Sequence, residues 1–137
     1  MGGRIHVRAE ILEAMMREAR RDPGIECCGL LAGRDAIITT IFPAGNSLAS
    51  ATVYEIDPQE LFRSFRGMRE QGLQHLGQYH SHPASENVPS PRDIEQAYYP
   101  EHPYFIVSPR TGAVHPIRAF LIQSGSVREL EVLGIET

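Results

Sequence analysis

Residues 8–21, RAEILEAMMREARR, set Ile11, Leu12, Met15, Met16 and Ala19 on one stripe at spacings of three and four. That period is helical, and a one-sided apolar stripe has to be covered by another layer. Asp22-Pro23-Gly24 stops the helix. Beyond that stop the chain reads mostly as strand. CGLLAGR (28–34) is short and apolar, AIITTIFP (36–43) is rich in β-branched residues, and Gly33-Arg34-Asp35 is the expected hairpin turn between them. TVYEI (52–56), LQHLGQYHSH (73–82), PYFIVS (103–108), PIRAFLI (116–122) and VRELEVL (127–133) read as further strands. A second helix starts at Asp57-Pro58-Gln59-Glu60, with an N-cap aspartate, proline at the first helical position and a glutamate to close a capping box. It should bury Leu61, Phe65 and Met68 and end at Gly72. A short third helix is expected over SPRDIEQAYY (90–99), stopped by Pro100. The pattern predicts a mixed α/β fold, and 137 residues fit a single domain over 1–137.

The balance of 42% apolar and 22% charged residues is that of a globular chain. A net charge of -4 and no basic run argue against a nucleic-acid partner. The opening MGGRIHVRAE has no apolar core of a secretory signal, and His6 stands where a myristoylation signal wants Ser or Thr. No apolar run approaches a membrane span, so no membrane partner is expected. Cys27 and Cys28 are adjacent and build no disulfide framework, which points to a reducing, cytoplasmic setting. The oligomeric state is unknown at this level.

The chemistry concentrates in HSHPASENVPSPRD, residues 80–93. Side chains two apart on a strand face the same way, so His80 and His82 aim together, and Pro83 ends the strand beyond them. The loop returns the chain, and Asp93 falls in the first turn of the next helix. Two imidazoles and a carboxylate suit a catalytic zinc whose fourth position stays open to water; a closed structural site would want a fourth ligand, usually cysteine. A general base is still needed, and Glu26, directly before an apolar strand, is the best candidate if that strand pairs beside 76–82. Ser90-Pro91-Arg92-Asp93 is also a sound helix start, with Ser90 as N-cap. Asp93 is expected to leave its capping box partly open while it ligates metal. Cys28 reads as a small buried hydrophobe. His75, His102 and His115 lack ligand spacing and read as surface or strand-end residues. Asn46, Ser47 and Tyr54 are candidates for lining a substrate groove.

Taken together, Glu26, His80-Ser81-His82-Pro83, and Ser90 and Asp93 in the Ser-x-x-Asp arrangement resemble the JAMM/MPN+ (Mov34/PAD-1-like) zinc metalloprotease family, in a compact prokaryotic-type form. The resemblance covers nearly the whole chain. It implies a curved β-sheet flanked by helices, similar to cytidine deaminases. It implies one zinc ion per chain held by His80, His82 and Asp93, with Glu26 as acid/base and Ser90 helping to hold the oxyanion. It implies hydrolysis of a peptide or isopeptide bond after the C-terminal glycines of a ubiquitin-like or sulfur-carrier protein. An extended substrate tail, added as a strand beside the groove, would suit that reaction. The long insertions of specialised eukaryotic deubiquitinases are missing, so chain-linkage specificity is not implied.

Three other readings compete. A zinc nucleobase deaminase needs H-x-E followed by P-C-x-x-C, which this chain lacks. A zinc-binding non-peptidase, such as a DNA-associated RadC-like protein, shares H-x-H-P and Ser-x-x-Asp, but Ser81 between the histidines is the peptidase form. A non-catalytic MPN scaffold would be expected to have lost a ligand or the glutamate.

Overall fold

Two residues, Asp35 and Ala36, turn the hairpin between β2 (Cys28–Arg34) and β3 (Ile37–Ala44) in the computed structural model, which describes residues 3–136. Both take positive φ, 54° and 62°, and Arg34 pairs with Ile37 across them. Positive φ at both central positions is the geometry whose twist matches the flanking strands. The turn therefore lies one step later than the sequence suggests, and Gly33 belongs to the strand. Its role is close approach. A Cβ there would run into the carbonyl oxygen of Ile37, beside a register shift between Ala32 and Gly33. That contact is with backbone, so no side chain can move aside. Gly33→Ala is expected to cost about 2–3 kcal/mol, read as a lower urea midpoint at unchanged slope.

Among the described residues there are seven strands and three helices. The first strand, β1 (Arg4–Arg8), is not evident in the sequence pattern; it leads directly into α1 (Ala9–Arg21). The others are β4 (Gln74–Ser81), β5 (Tyr104–Val107), β6 (Ile117–Gln123) and β7 (Ser126–Ile135). The order β1-β3-β2-β4-β5-β6-β7 closes on itself, because β1 pairs in parallel with both β3 and β7. The curved sheet expected from the motif is thus a closed one.

The sheet curls around α1, which touches β1, β3, β4, β5 and β7. Ile11, Met15 and Ala19, from the stripe that marked the helix, pack with Val7, Leu31, Tyr79, Phe105 and Val107. Met15, Leu31 and Phe105 are fully buried, and burial of one such side chain is worth about 1.5–3 kcal/mol. The outer face carries two smaller clusters. α2 (Pro58–Glu70) covers Leu30 and Ala32 with Met68, Leu61 and Phe65. α3 (Pro91–Glu95) and the turn after it cover Tyr104, Ile106, Phe120 and Ile122 with Ile94, Ala97 and Tyr99. Between these two helices the outer face of β2 and β4 is left as the floor of a cleft.

Three local expectations are corrected. Residues 52–56 form no strand; only an isolated bridge joins Asn46 to Ile56. The third helix ends at Glu95, because the Tyr99 amide donates to the Tyr104 hydroxyl at 3.0 Å instead of continuing the helix. Asp57 caps α2 through the Gln59 amide, but Glu60 closes no capping box and accepts instead from the Gly45 amide at 3.1 Å. No described helix is long and apolar enough to cross a membrane.

Candidate metal centre

The pairing of β2 with β4 assembles the site. The two strands run antiparallel with Cys28 opposite His80, so the residues just before β2 lie beside the end of β4. The Ser81 amide donates to the Cys27 carbonyl at 3.0 Å, and the Cys27 amide donates to Ser81 Oγ at 2.8 Å. These two bonds carry the ladder one step past β2 and bring Glu26 alongside the histidines. Alternation sends Tyr79 into the α1 core and Gln78 to the cleft, with His80 on the same face of the strand beneath Tyr54. His82 lies just beyond β4, and its amide is held by the Val107 carbonyl at 2.9 Å.

Three potential ligand atoms converge. His80 Nε2 and His82 Nε2 are 3.1 Å apart, and Asp93 Oδ2 lies 3.2 Å from the first and 3.0 Å from the second. Four-coordinate zinc with bonds of about 2.0–2.1 Å requires neighbouring ligand atoms about 3.3 Å apart, close to this spacing. The donor set also fits. His82 Nδ1 donates to the Glu86 carbonyl at 2.8 Å, so in the neutral imidazole the lone pair free to bind a metal is on Nε2, the atom that faces His80 Nε2 and Asp93. Two imidazole nitrogens and a carboxylate oxygen facing one point call for a cation between them. Glu26 offers an oxygen within 4.8 Å of both imidazoles, so it is a possible fourth donor by distance alone. Asp93 Oδ2 lies within hydrogen-bond distance of both imidazole nitrogens.

The helix start around Ser90 differs from expectation. Ser90 Oγ accepts from the Asp93 amide at 3.1 Å, and Asp93 Oδ2 accepts from the Ser90 amide at 2.9 Å. The capping box is complete, although the same Oδ2 faces both imidazoles. A carboxylate oxygen has two lone pairs, and that is sufficient for both directions.

The electrostatics follow from burial. Burial raises the carboxyl of Glu26 to about 7, partly offset by His82. Burial also acts on Asp93, but bonds from His80 and His82 outweigh it and hold the carboxyl well below the usual range. His80, fully buried, is pushed down despite Asp93. His82 is drawn up, because its bonds to Asp93 and to the Glu86 carbonyl outweigh its burial. Burial drives Cys27 up to about 11 and Cys28 up to about 12, so both stay as thiols.

Tyr54 belongs to the site more closely than groove lining alone. Its ring stacks on His80, with centroids 4.5 Å apart and planes at 22°. His80 Nδ1 has no hydrogen-bond partner among the described residues, so this stack orients the outer side of the ring. Nothing in the sequence marks that contact. Asn46 and Ser47 lie in the same loop, and His75 is the second residue of β4, at the strand end as expected, half-buried with Nε2 against Gly77 O and Gln78 Oε1.

A cleft of about 200 Å³ opens from Asp93 between α2 and α3. Leu30, Ile56 and Leu61 give it an apolar side, Tyr54, Tyr98 and Tyr99 an aromatic one, and Arg92 and Glu55 its charges.

The chain is similar to known proteins. The family described as prokaryotic homologs of the JAB domain matches residues 8–123. A CysO-cysteine peptidase of Mycobacterium tuberculosis is 35% identical over 132 residues, covering 95% of this chain and 90% of its own. A desampylase of Haloferax volcanii is 38% identical over 113 residues, covering 77% and 81%. The solution structure of a Desulfitobacterium hafniense protein superposes with a TM-score of 0.85 at 32% identity, covering 97% of this chain and 94% of that one. The chain belongs to the JAB/MPN family, in its prokaryotic branch.

Proposed function

We propose that this protein is a zinc-dependent peptidase or isopeptidase, acting through one domain over residues 1–137, that hydrolyses the bond after the C-terminal glycines of a ubiquitin-like or sulfur-carrier protein. The observation that carries this reading is the convergence of His80, His82 and Asp93 beside a cleft, with an oxygen of Glu26 within 4.8 Å of both imidazoles. The names of the two relatives, a peptidase on CysO-cysteine and a desampylase, point to the same kind of reaction.

His80, His82 and Asp93 would hold the metal. When bound, zinc supplies a Lewis acid that polarises the scissile carbonyl and makes water more acidic. Glu26 takes a proton from the attacking water and returns it to the leaving amine nitrogen; burial favours its protonated form and so opposes the pull of a nearby cation, which suits a group that must both accept and release a proton. Ser90 uses its oxygen to accept from the Asp93 amide, which leaves its O–H free to donate to the developing oxyanion. The carrier tail lies extended in the cleft. An added strand beside the cleft would satisfy the tail's own backbone polar groups while presenting the scissile bond.

The direct test is incubation of the zinc-loaded protein with a ubiquitin-like carrier extended past its Gly-Gly end, read by intact mass. Release of the extension alone supports the reading; an uncut carrier that still binds would favour a scaffold. A second expectation concerns Ser90. Ser90→Ala should lose about 0.5–2 kcal/mol of stability as a missing N-cap. It should also lose roughly 100-fold in turnover as a missing oxyanion donor. Lower thermal stability with unchanged turnover would leave only the capping role.

A further inference from the structure

Glu26 precedes β2 and lies outside the ladder, so the sheet alone does not fix it. Its main chain is held instead by the loop between β3 and α2. The Glu26 amide donates to the Ser50 carbonyl at 2.8 Å, and the Glu26 carbonyl accepts from Asn46 Nδ2 at 3.2 Å. The same Nδ2 donates to the Val53 carbonyl at 2.9 Å and approaches the Ser50 carbonyl at 3.4 Å. Asn46 Oδ1 accepts from the amides of Leu48 at 3.0 Å and Glu55 at 3.2 Å. One amide side chain thus satisfies backbone groups on both strokes of the loop and on the segment that carries the base. It brackets Val53 and Glu55, the neighbours of Tyr54, whose ring lies on His80.

We propose that Asn46 is a positioning residue: its side-chain amide locks the 46–56 loop against Glu26 and so sets the distance from that carboxylate to the metal ligands. Nothing about Asn46 touches the reacting atoms. The inference rests on Glu26 being the base, and it adds the device that holds that base.

Asn46→Asp separates the two halves of the side chain. Aspartate keeps the shape and both acceptor contacts, but it cannot donate, and it sets a carboxylate oxygen against the carbonyls of Glu26, Ser50 and Val53. Four zinc-loaded proteins are compared: wild type, Asn46→Asp, Glu26→Gln and the double variant. Asn46→Asp should keep its zinc and lose roughly tenfold or more in kcat. In the Glu26→Gln background the same change should cost less than about twofold, because the group it positions is already disabled. A role confined to overall stability would lower both backgrounds by the same factor, and that outcome overturns the proposal. Hydrogen exchange provides a readout independent of turnover: the Glu26 amide should lose about tenfold in protection while the Phe105 amide in β5 keeps its own. Unchanged protection at Glu26 overturns the proposal whatever the rates. If Asn46→Asp fails to fold, Asn46→Ser, which retains a shorter donor, is measured in the same way. A Glu26→Gln protein as fast as wild type would remove the base reading itself; an impaired Glu26→Gln with equal Asn46→Asp losses in both backgrounds would remove only this inference.

Discussion

Glu26→Gln should slow cleavage of a Gly-Gly-extended carrier by about 10²–10⁴ while leaving zinc content and carrier affinity unchanged. Glutamine keeps the size and the hydrogen-bonding reach of the side chain but cannot accept and return a proton at neutral pH. Glu26 is almost entirely buried, at 3% exposure, and it carries a carboxyl that burial raises to about 7. An acid buried this deeply is costly to keep charged, and packing alone does not call for one at this point. Zinc by elemental analysis, affinity by titration and rate by mass spectrometry, on the same two preparations, divide the outcomes. Loss of zinc would make Glu26 a ligand. Undiminished cleavage would put the base elsewhere.

Asp93→Ala should empty the site. It removes one of the three converging ligand atoms and leaves two imidazole nitrogens 3.1 Å apart with no anion between them. Metal affinity should fall by more than the roughly 10–100-fold that accompanies loss of an outer-sphere partner, and turnover should fall with it. The same substitution breaks the capping box with Ser90, so stability should drop even without metal. Asp93→Asn separates the two effects. An amide oxygen still accepts from the Ser90 amide but is a poor zinc ligand, so this variant should lose the metal and keep most of the metal-free stability. Zinc retained at about one ion per chain in both variants would mean that the metal sits on other residues.

How much of this was legible in the sequence depended on whether the cause was local. The spacing of His80 and His82 on one strand and the capping chemistry of Ser90 are written within a few residues, and so is the α1 stripe. The pairing that brings Glu26 to them is not local, yet β2 and β4 both read clearly as strands, and only their adjacency had to be supposed. β1 escapes notice because RIHVR is short and charged, and its partners, Ile38 and Val132 among them, lie at distant points of the chain. Residues 52–56 have good strand composition, but Asn46 claims the backbone groups that a ladder would need. The stack of Tyr54 on His80 left no trace in the sequence, since a tyrosine in a β-branched stretch is ordinary.

The closing of the sheet through β1 bears on the order of events during folding. Arg4 pairs with Glu131 and Val7 with Gly134, so the first strand is completed by nearly the last. Contacts of such long sequence separation form late and slowly, because loop-closure entropy has to be met before they return any stability. While the chain is still being synthesised, β1 has only its brief pairing with β3, through His6 and Val7, and α1 stands partly uncovered. His80 on β4, His82 just beyond it and Asp93 on α3 all emerge well before β7. The order of synthesis therefore places both histidines in a chain whose barrel around α1 is still unsealed, and under the proposed zinc site, metal captured at that stage would favour the native register over aggregation of the open edges.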